Sequence, residues 1–290
     1  MINPYLLHIL VLVAIYSIVA VSLNLALGYT GLLNPGHVAF FGIGAYTSAL
    51  LTKAGVPFLV AFLAAGIIAS IFGYLLYFST KKLKGDYLAL ATLGFTFVLY
   101  SLLLNLTFLT RGPLGIAGIA KPSFAGIVLS SPAAYLLFTG ILALVSVLLL
   151  AFIVKSPFGR VMQAIRDDEI GVRVLGKNTL AVKGKVMMIS AFFAGLAGSV
   201  FAHYITFIEP GSFTLTEVVL VLTIVIVGGL ASLRGSILAA FILLLIPELL
   251  RFLAWPSSIL GPGRQILYAL ILLAILLFRP RGLLGKVDLA

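Results

Sequence analysis

Apolar residues fall in long uninterrupted blocks, and the polar residues gather between them. A bilayer core about 30 Å thick takes roughly 20 helical residues at 1.5 Å of rise each. Blocks of that order lie at about 5–28, 56–80, 87–110, 133–154 and 186–207, with shorter ones at about 34–52, 217–233, 235–251 and 265–279. The pattern predicts an all-α polytopic membrane protein of about eight to ten transmembrane helices, nine in this reading, forming one unit over 1–290. Two stretches are interrupted. Asn34-Pro35-Gly36 opens the second block, where proline removes a backbone donor and glycine relaxes the helix. Only Leu233-Arg234-Gly235 separates the seventh block from the eighth, and the Gly-rich run 228–236 around it is the second interruption. The first block is too long for a signal-peptide core and lacks a basic leader, so it reads as a retained span. Residues 111–132, rich in Gly, Pro and Ser, read as an external loop with re-entrant or interfacial parts.

Composition sharpens this picture. The chain is 62% apolar and 9% charged, against about 45–50% and 25% in soluble domains. That excludes a soluble enzyme, a disordered chain and a coiled coil. The net charge of +11 would suggest nucleic acid in a soluble protein. Here the charges sit between spans and report topology, with no nucleic-acid partner. With the amino terminus outside and nine alternating spans, 14 Lys and Arg fall inside and 5 outside. The loop at about 155–185 and the carboxyl terminus are thus expected in the cytoplasm of a multi-pass plasma-membrane protein.

Catalytic chemistry finds little support. His8, His37 and His203 are far apart, and neither a zinc-type His pair, a nucleophile elbow nor a phosphate-binding loop is present. No cysteine offers thiol or cluster chemistry. The chain reads as a non-enzyme with no catalytic, metal or cofactor residue. Asp86, Glu209, Glu217 and Glu248 fall near span ends, which argues against proton or sodium coupling and suits a substrate neutral overall. Interrupted apolar segments point to a substrate path, because freed backbone groups must face protein or water. Asn34, Gly36, His37, Phe41, Gly228, Gly229 and Ser232 are the candidate pathway residues. Close packing of helices is the competing reading of such residues, and it is the preferred one for the small-residue run 194–198.

The only long polar stretch, 155–185, carries its own local signals. Ser156-Pro157 is a helix start, cap then first position. A short helix to Arg166 follows; Asp167 or Asp168 caps a second, which ends at Gly176. Two short helices would make a knob fitting a groove on another protein. An ordinary basic loop held at lipid headgroups fits the same residues. The candidate docking residues are Pro157, Gly159, Arg160, Ala164, Arg166, Asp167, Glu169, Leu175 and Gly176.

Five stretches together resemble a known family: NLALGYTGLL (24–33) with GHVAFFGIGAY (36–46), GDYLALATL (85–93), AIRDDE (164–169) with LG (175–176), SAFFAGLAG (190–198) and RPRGLLG (279–285). The chain resembles the LivM-type permease subunits of branched-chain amino acid ABC importers, in a larger group that includes ribose-type sugar permeases. The resemblance runs from about residue 20 to 285. It implies a prokaryotic inner-membrane permease domain that forms a pathway with a second, LivH-like permease. Two cytosolic ATPase subunits, which would bind ATP and Mg²⁺, and an extracytoplasmic binding protein delivering Leu, Ile or Val complete the assembly. It also implies that 156–178 forms the coupling helices that sit on the ATPase. Asn34-Pro35-Gly36-His37 departs from the family's frequent Ser-Leu-Gly-His, and Thr110-Arg111-Gly112-Pro113 from its Thr-Gly-Gly. The alternative function is a stand-alone channel or facilitator for a small neutral solute such as urea or an amide.

Overall fold

The computed structural model describes residues 4–124, 127–129, 131–252, 257–279 and 281–285. Twelve helices follow in order among them: α1 (Pro4–Thr30), α2 (His37–Lys53), α3 (Phe58–Thr80), α4 (Gly85–Asn105), α5 (Thr107–Thr110), α6 (Pro132–Lys155), α7 (Pro157–Asp167), α8 (Glu169–Val174), α9 (Thr179–Ile205), α10 (Leu215–Gly228), α11 (Leu233–Phe252) and α12 (Ser257–Phe278). Six segments among the described residues are long and apolar enough to cross a membrane: those of α1, α3, α4, α6, α9 and the stretch Pro210–Gly228. α2, α11 and α12 supply the three remaining apolar helices of the expected order. The side chain of Glu248 and the basic residue Lys286 lie outside the described residues.

α9 is the spine, with α2 and α3 packed along it and α1 beside it. Small residues permit this close approach. A side chain on Gly198 would meet the Phe41 carbonyl and the Ala45 amide, and one on Gly195 would meet Ala69 and the Ala65 carbonyl. The run 194–198 is therefore packing surface, as preferred from sequence. Hydroxyls and imidazoles fasten the same contacts inside the apolar core. Tyr135 donates to the Val200 carbonyl (2.7 Å), and His203 lies 2.9 Å from Ser48 Oγ and 2.6 Å from the Ala120 carbonyl. α3, α4 and α6 surround this centre and expose long rows of aliphatic side chains, as lipid-facing helices do.

One end carries two short strand pairings. Ile116 and Ala117 (β1) pair antiparallel with Ile208 and Phe207 (β4), and Ser123–Phe124 (β2) pairs with Ile127–Val128 (β3). The opposite end gathers the basic segments. Lys84 reaches Glu169 of α8, Arg166 of α7 reaches the Gly28 carbonyl at the end of α1, and Gly285 of the tail packs on Gly229.

Three boundaries differ from the sequence reading. α9 begins at Thr179 rather than near 186, because Asn178 caps it, its Oδ1 accepting from the Ala181 amide at 3.0 Å. The break between α10 and α11 falls at Gly229–Ser232, ahead of the expected Leu233-Arg234-Gly235. Gly229 (φ 102°) and Ala231 (φ 57°) leave helical geometry there. The third is α12, which begins at Ser257 rather than near 265. Glu217 lies in the first turn of α10, near a span end as expected, and its carboxylate accepts a 2.7 Å hydrogen bond from Tyr16, halfway along α1. α10 has only 14 residues, so its start is set at mid-depth of its longer neighbour.

Candidate functional site

The expected pathway residues form two polar knots, joined through α1. In the first, the chain after α1 turns at Gly31 (φ 71°) and runs back along α1 before α2 begins. His37 Nε2 thereby comes 2.9 Å from Ser22 Oγ, and Ser190 of α9 donates to the Ser22 carbonyl at 2.6 Å. Asn34 is fully buried; its amide nitrogen reaches Met187 Sδ at 3.3 Å and its Oδ1 has no partner. Gly36 lies against the Thr92 carbonyl of α4, and Phe41 is buried against Tyr16, Phe201 and Phe213.

The second knot organises the α10–α11 break. Asn24, two residues beyond Ser22, donates to the carbonyls of Gly229 and Ser232 (both 3.2 Å) and to Ser236 Oγ (2.7 Å). Its Oδ1 accepts from the Ala231 amide at 3.0 Å, holding that residue in the left-handed region. The tail completes the knot. Leu283 and Leu284 donate to the carbonyls of Val227 and Gly228 at 2.8 and 3.1 Å, satisfying acceptors that a helix C-terminus otherwise leaves free. Gly228, Gly229 and Ser232 are thus buried under the tail and against α11. Asn24 is the organiser that the pathway reading did not single out.

The third assembly is the knob, and its local chemistry follows the sequence closely. Ser156 Oγ accepts from the Gly159 amide (3.3 Å) and Pro157 takes the first position of α7. Asp168 Oδ1 caps α8 through the amides of Ile170 (2.9 Å) and Gly171 (3.0 Å), and Gly176 turns left-handed (φ 76°) after it. Gly159 is buried against the carbonyls of Ile153 and Val154, where a side chain would push α7 off the end of α6. Arg160, Ala164 and Asp167 face outward. Arg166 turns inward: its Nη1 donates to the Gly28 carbonyl at 3.0 Å, tying α7 to α1. Its Nε donates to Asp167 at 2.8 Å.

Glu169 holds the second helix in place. Lys183 (2.7 Å) and Arg173 (2.6 Å) donate to its carboxylate, Thr179 adds a 3.2 Å bond, and Lys84 lies at 4.0 Å. Burial alone would raise its pKa. The hydrogen bonds from Lys183 and Arg173 outweigh that and lower it to about 2. With the carboxylate occupied inside the chain, α8 turns a different face outward. Ile170, Val174 and Leu175 are 69%, 82% and 78% exposed. An aliphatic patch of this kind, on a helix ringed by charge, is what a protein partner covers. Leu175 was an expected coupling residue; Ile170 and Val174 were not, although their i, i+4 spacing in a polar stretch marks one helix face.

A polytopic helical bundle with buried polar seams, broken helices and a protruding two-helix knob defines a membrane permease. The chain belongs to the family described as branched-chain amino acid transport system / permease component, which matches residues 5–278. It is 38% identical to the high-affinity branched-chain amino acid transport system permease protein LivM of Escherichia coli, over 94% of this chain and 68% of that one. The LivM of Salmonella typhimurium is 37% identical, over 93% and 68%. The autoinducer 2 import system permease protein LsrC of the same organism is 29% identical, over 93% and 78%. No solved structure matches the chain. The free-standing facilitator gains no support from these relatives.

Proposed function

We propose that the chain is the LivM-type permease of an ATP-driven importer of branched-chain amino acids. It would form the pathway with a second permease, receive substrate from an extracytoplasmic binding protein and be driven by two cytosolic ATPases. The observation that carries this reading is the α7–α8 knob: rigidly capped, pinned by Glu169, and presenting Ile170, Val174 and Leu175 to a partner. The chain's own residues offer no phosphate-binding loop, so the force must enter at such a surface. The same end carries most of the basic residues, which supports a cytoplasmic position for it under the positive-inside rule.

The contacts suggest the route of the motion. A shift of α7 pulls on the Gly28 carbonyl through Arg166, and α1 carries it to Asn24. Asn24 holds the α10–α11 break, so a displaced α1 loosens or tightens that seam. Rearrangement of the two buried knots would open a path past Asn34, His37 and Gly229. The test is Val174→Asp in the complex reconstituted in vesicles. Loss of ATP-driven leucine uptake and of bound ATPase subunits, with an unchanged melting temperature, is expected. Unchanged uptake with the ATPases still bound would remove the knob from the scheme. Leucine flux through vesicles holding this chain alone, without ATP, would remove the importer itself.

A further inference from the structure

α3 and α6 meet at one end of the molecule, where the rings of Phe58 and Phe138 lie edge to face at 6.0 Å. Toward the knob end a cavity of about 540 Å³ opens between them. Its floor is one stripe of α9: Met188, Ile189, Phe192 and Phe193. Lys185 heads the same stripe, at helical spacings of i, i+3, i+4, i+7 and i+8. Ser70 of α3 and Ile153 of α6 form the sides, and Phe158 of α7 stands at the knob end. The Lys185 ammonium has no ion pair or hydrogen bond among the described residues, whereas Lys183, two residues before it, is bound to Glu169.

We propose that this cleft is a binding site for one acyl chain of an anionic phospholipid, with its headgroup on Lys185. The floor from Lys185 to Phe192 is about 10 Å long at 1.5 Å per residue, most of the depth of one leaflet. Apart from Ser70 and Lys185 its lining residues are apolar, and the helices beside it expose further aliphatic and aromatic side chains: Ile67 and Ile71 of α3, Leu149 and Phe152 of α6. A lysine at the membrane-surface end of an apolar cleft matches a lipid with an acidic headgroup, as basic pockets between spans do. An acyl chain lodged there bears on Phe158, the second residue of α7, and braces the knob from the membrane side.

The assignment of the cleft to the inner leaflet rests on the orientation proposed above; the lipid site itself does not. The test is native mass spectrometry on the full chain with its associated subunits, stripped of lipid in detergent and titrated with phosphatidylglycerol or phosphatidylcholine. Retention of phosphatidylglycerol about fivefold stronger than of phosphatidylcholine is expected, the factor that about 1 kcal/mol per lysine gives. Lys185→Gln should abolish the preference and spare phosphatidylcholine retention, Lys185→Arg should keep both, and Ile189→Trp should lower retention of both lipids by filling the floor. Equal retention of the two lipids by the unaltered chain overturns the proposal, and so does an undiminished preference in Lys185→Gln or undiminished retention in Ile189→Trp. None of these readings uses ATP or substrate, so they stand or fall apart from the importer assignment.

Discussion

A single asparagine decides how the second half of the chain ends its short helix. Asn24 is fully buried on α1 and makes four hydrogen bonds, three donated and one accepted, to residues 229–236. Asn24→Ala should lower stability by about 1–3 kcal/mol for each group left unpaired. Asn24→Asp should cost more, because it keeps the acceptor for Ala231 and sets a carboxylate against two carbonyls. Thermal unfolding in detergent measures both. In sequence Asn24 is one polar residue in an apolar run, and its partners lie more than 200 positions away, so no local pattern reveals it. Glu169 allows a pH test. Its folded pKa of about 2 lies below its ordinary 4.5. The stabilisation it gives is complete above about 4.5 and is lost as pH falls toward 2. Protection of the α8 amides, measured against their intrinsic exchange rate at each pH, should therefore be steady from neutrality down to about 4.5 and fall below it, and Glu169→Gln should abolish that step.

Helices whose ends are set by adjacent residues are legible, and those set from a distance are not. Ser156, Asp168 and Gly176 mark the limits of α7 and α8 because a cap bonds amides two or three residues away. The end of α10 depends on Asn24 and on the tail, and the sequence pattern places it about five residues late. The boundaries of the pathway candidates are legible in the same partial way: proline and glycine mark the interruption at 34–36, while the burial of Asn34 and His37 against α9 comes from tertiary packing. The α2–α9–α3 contact makes its own prediction. Gly195→Val forces two methyl groups toward Ala69 and the Ala65 carbonyl, and overpacking of this kind costs about 1–3 kcal/mol. The melting point should drop, whereas Gly140→Val on α6, with open space around it, should leave it unchanged.

For the molecule as a whole, the gathering of the 81–84, 155–185 and 281–285 segments at one end turns a charge count into a testable orientation. The natural sequence has no cysteine, so single substitutions can be labelled without background. Ile170→Cys should react with an impermeant maleimide only in inside-out vesicles, and Leu114→Cys, 81% exposed at the other end, only in intact cells. The reverse pattern would invert the topology. That these three basic segments converge was foreseeable from alternation of spans; that the tail reaches back to bond α10 was not, since RPRGLLG looks like a simple basic segment. This bond has a bearing on biogenesis. Leu284 follows Gly228 by 56 positions. A ribosome adding about 5–20 residues each second needs about 3–11 s to cover that distance. During that interval the last carbonyls of α10 wait for their donors beside the translocon, where water or a chaperone must serve. Assembly with other subunits within that interval would therefore meet an unfinished helix end, and the closing stitch falls to residues made 56 positions later.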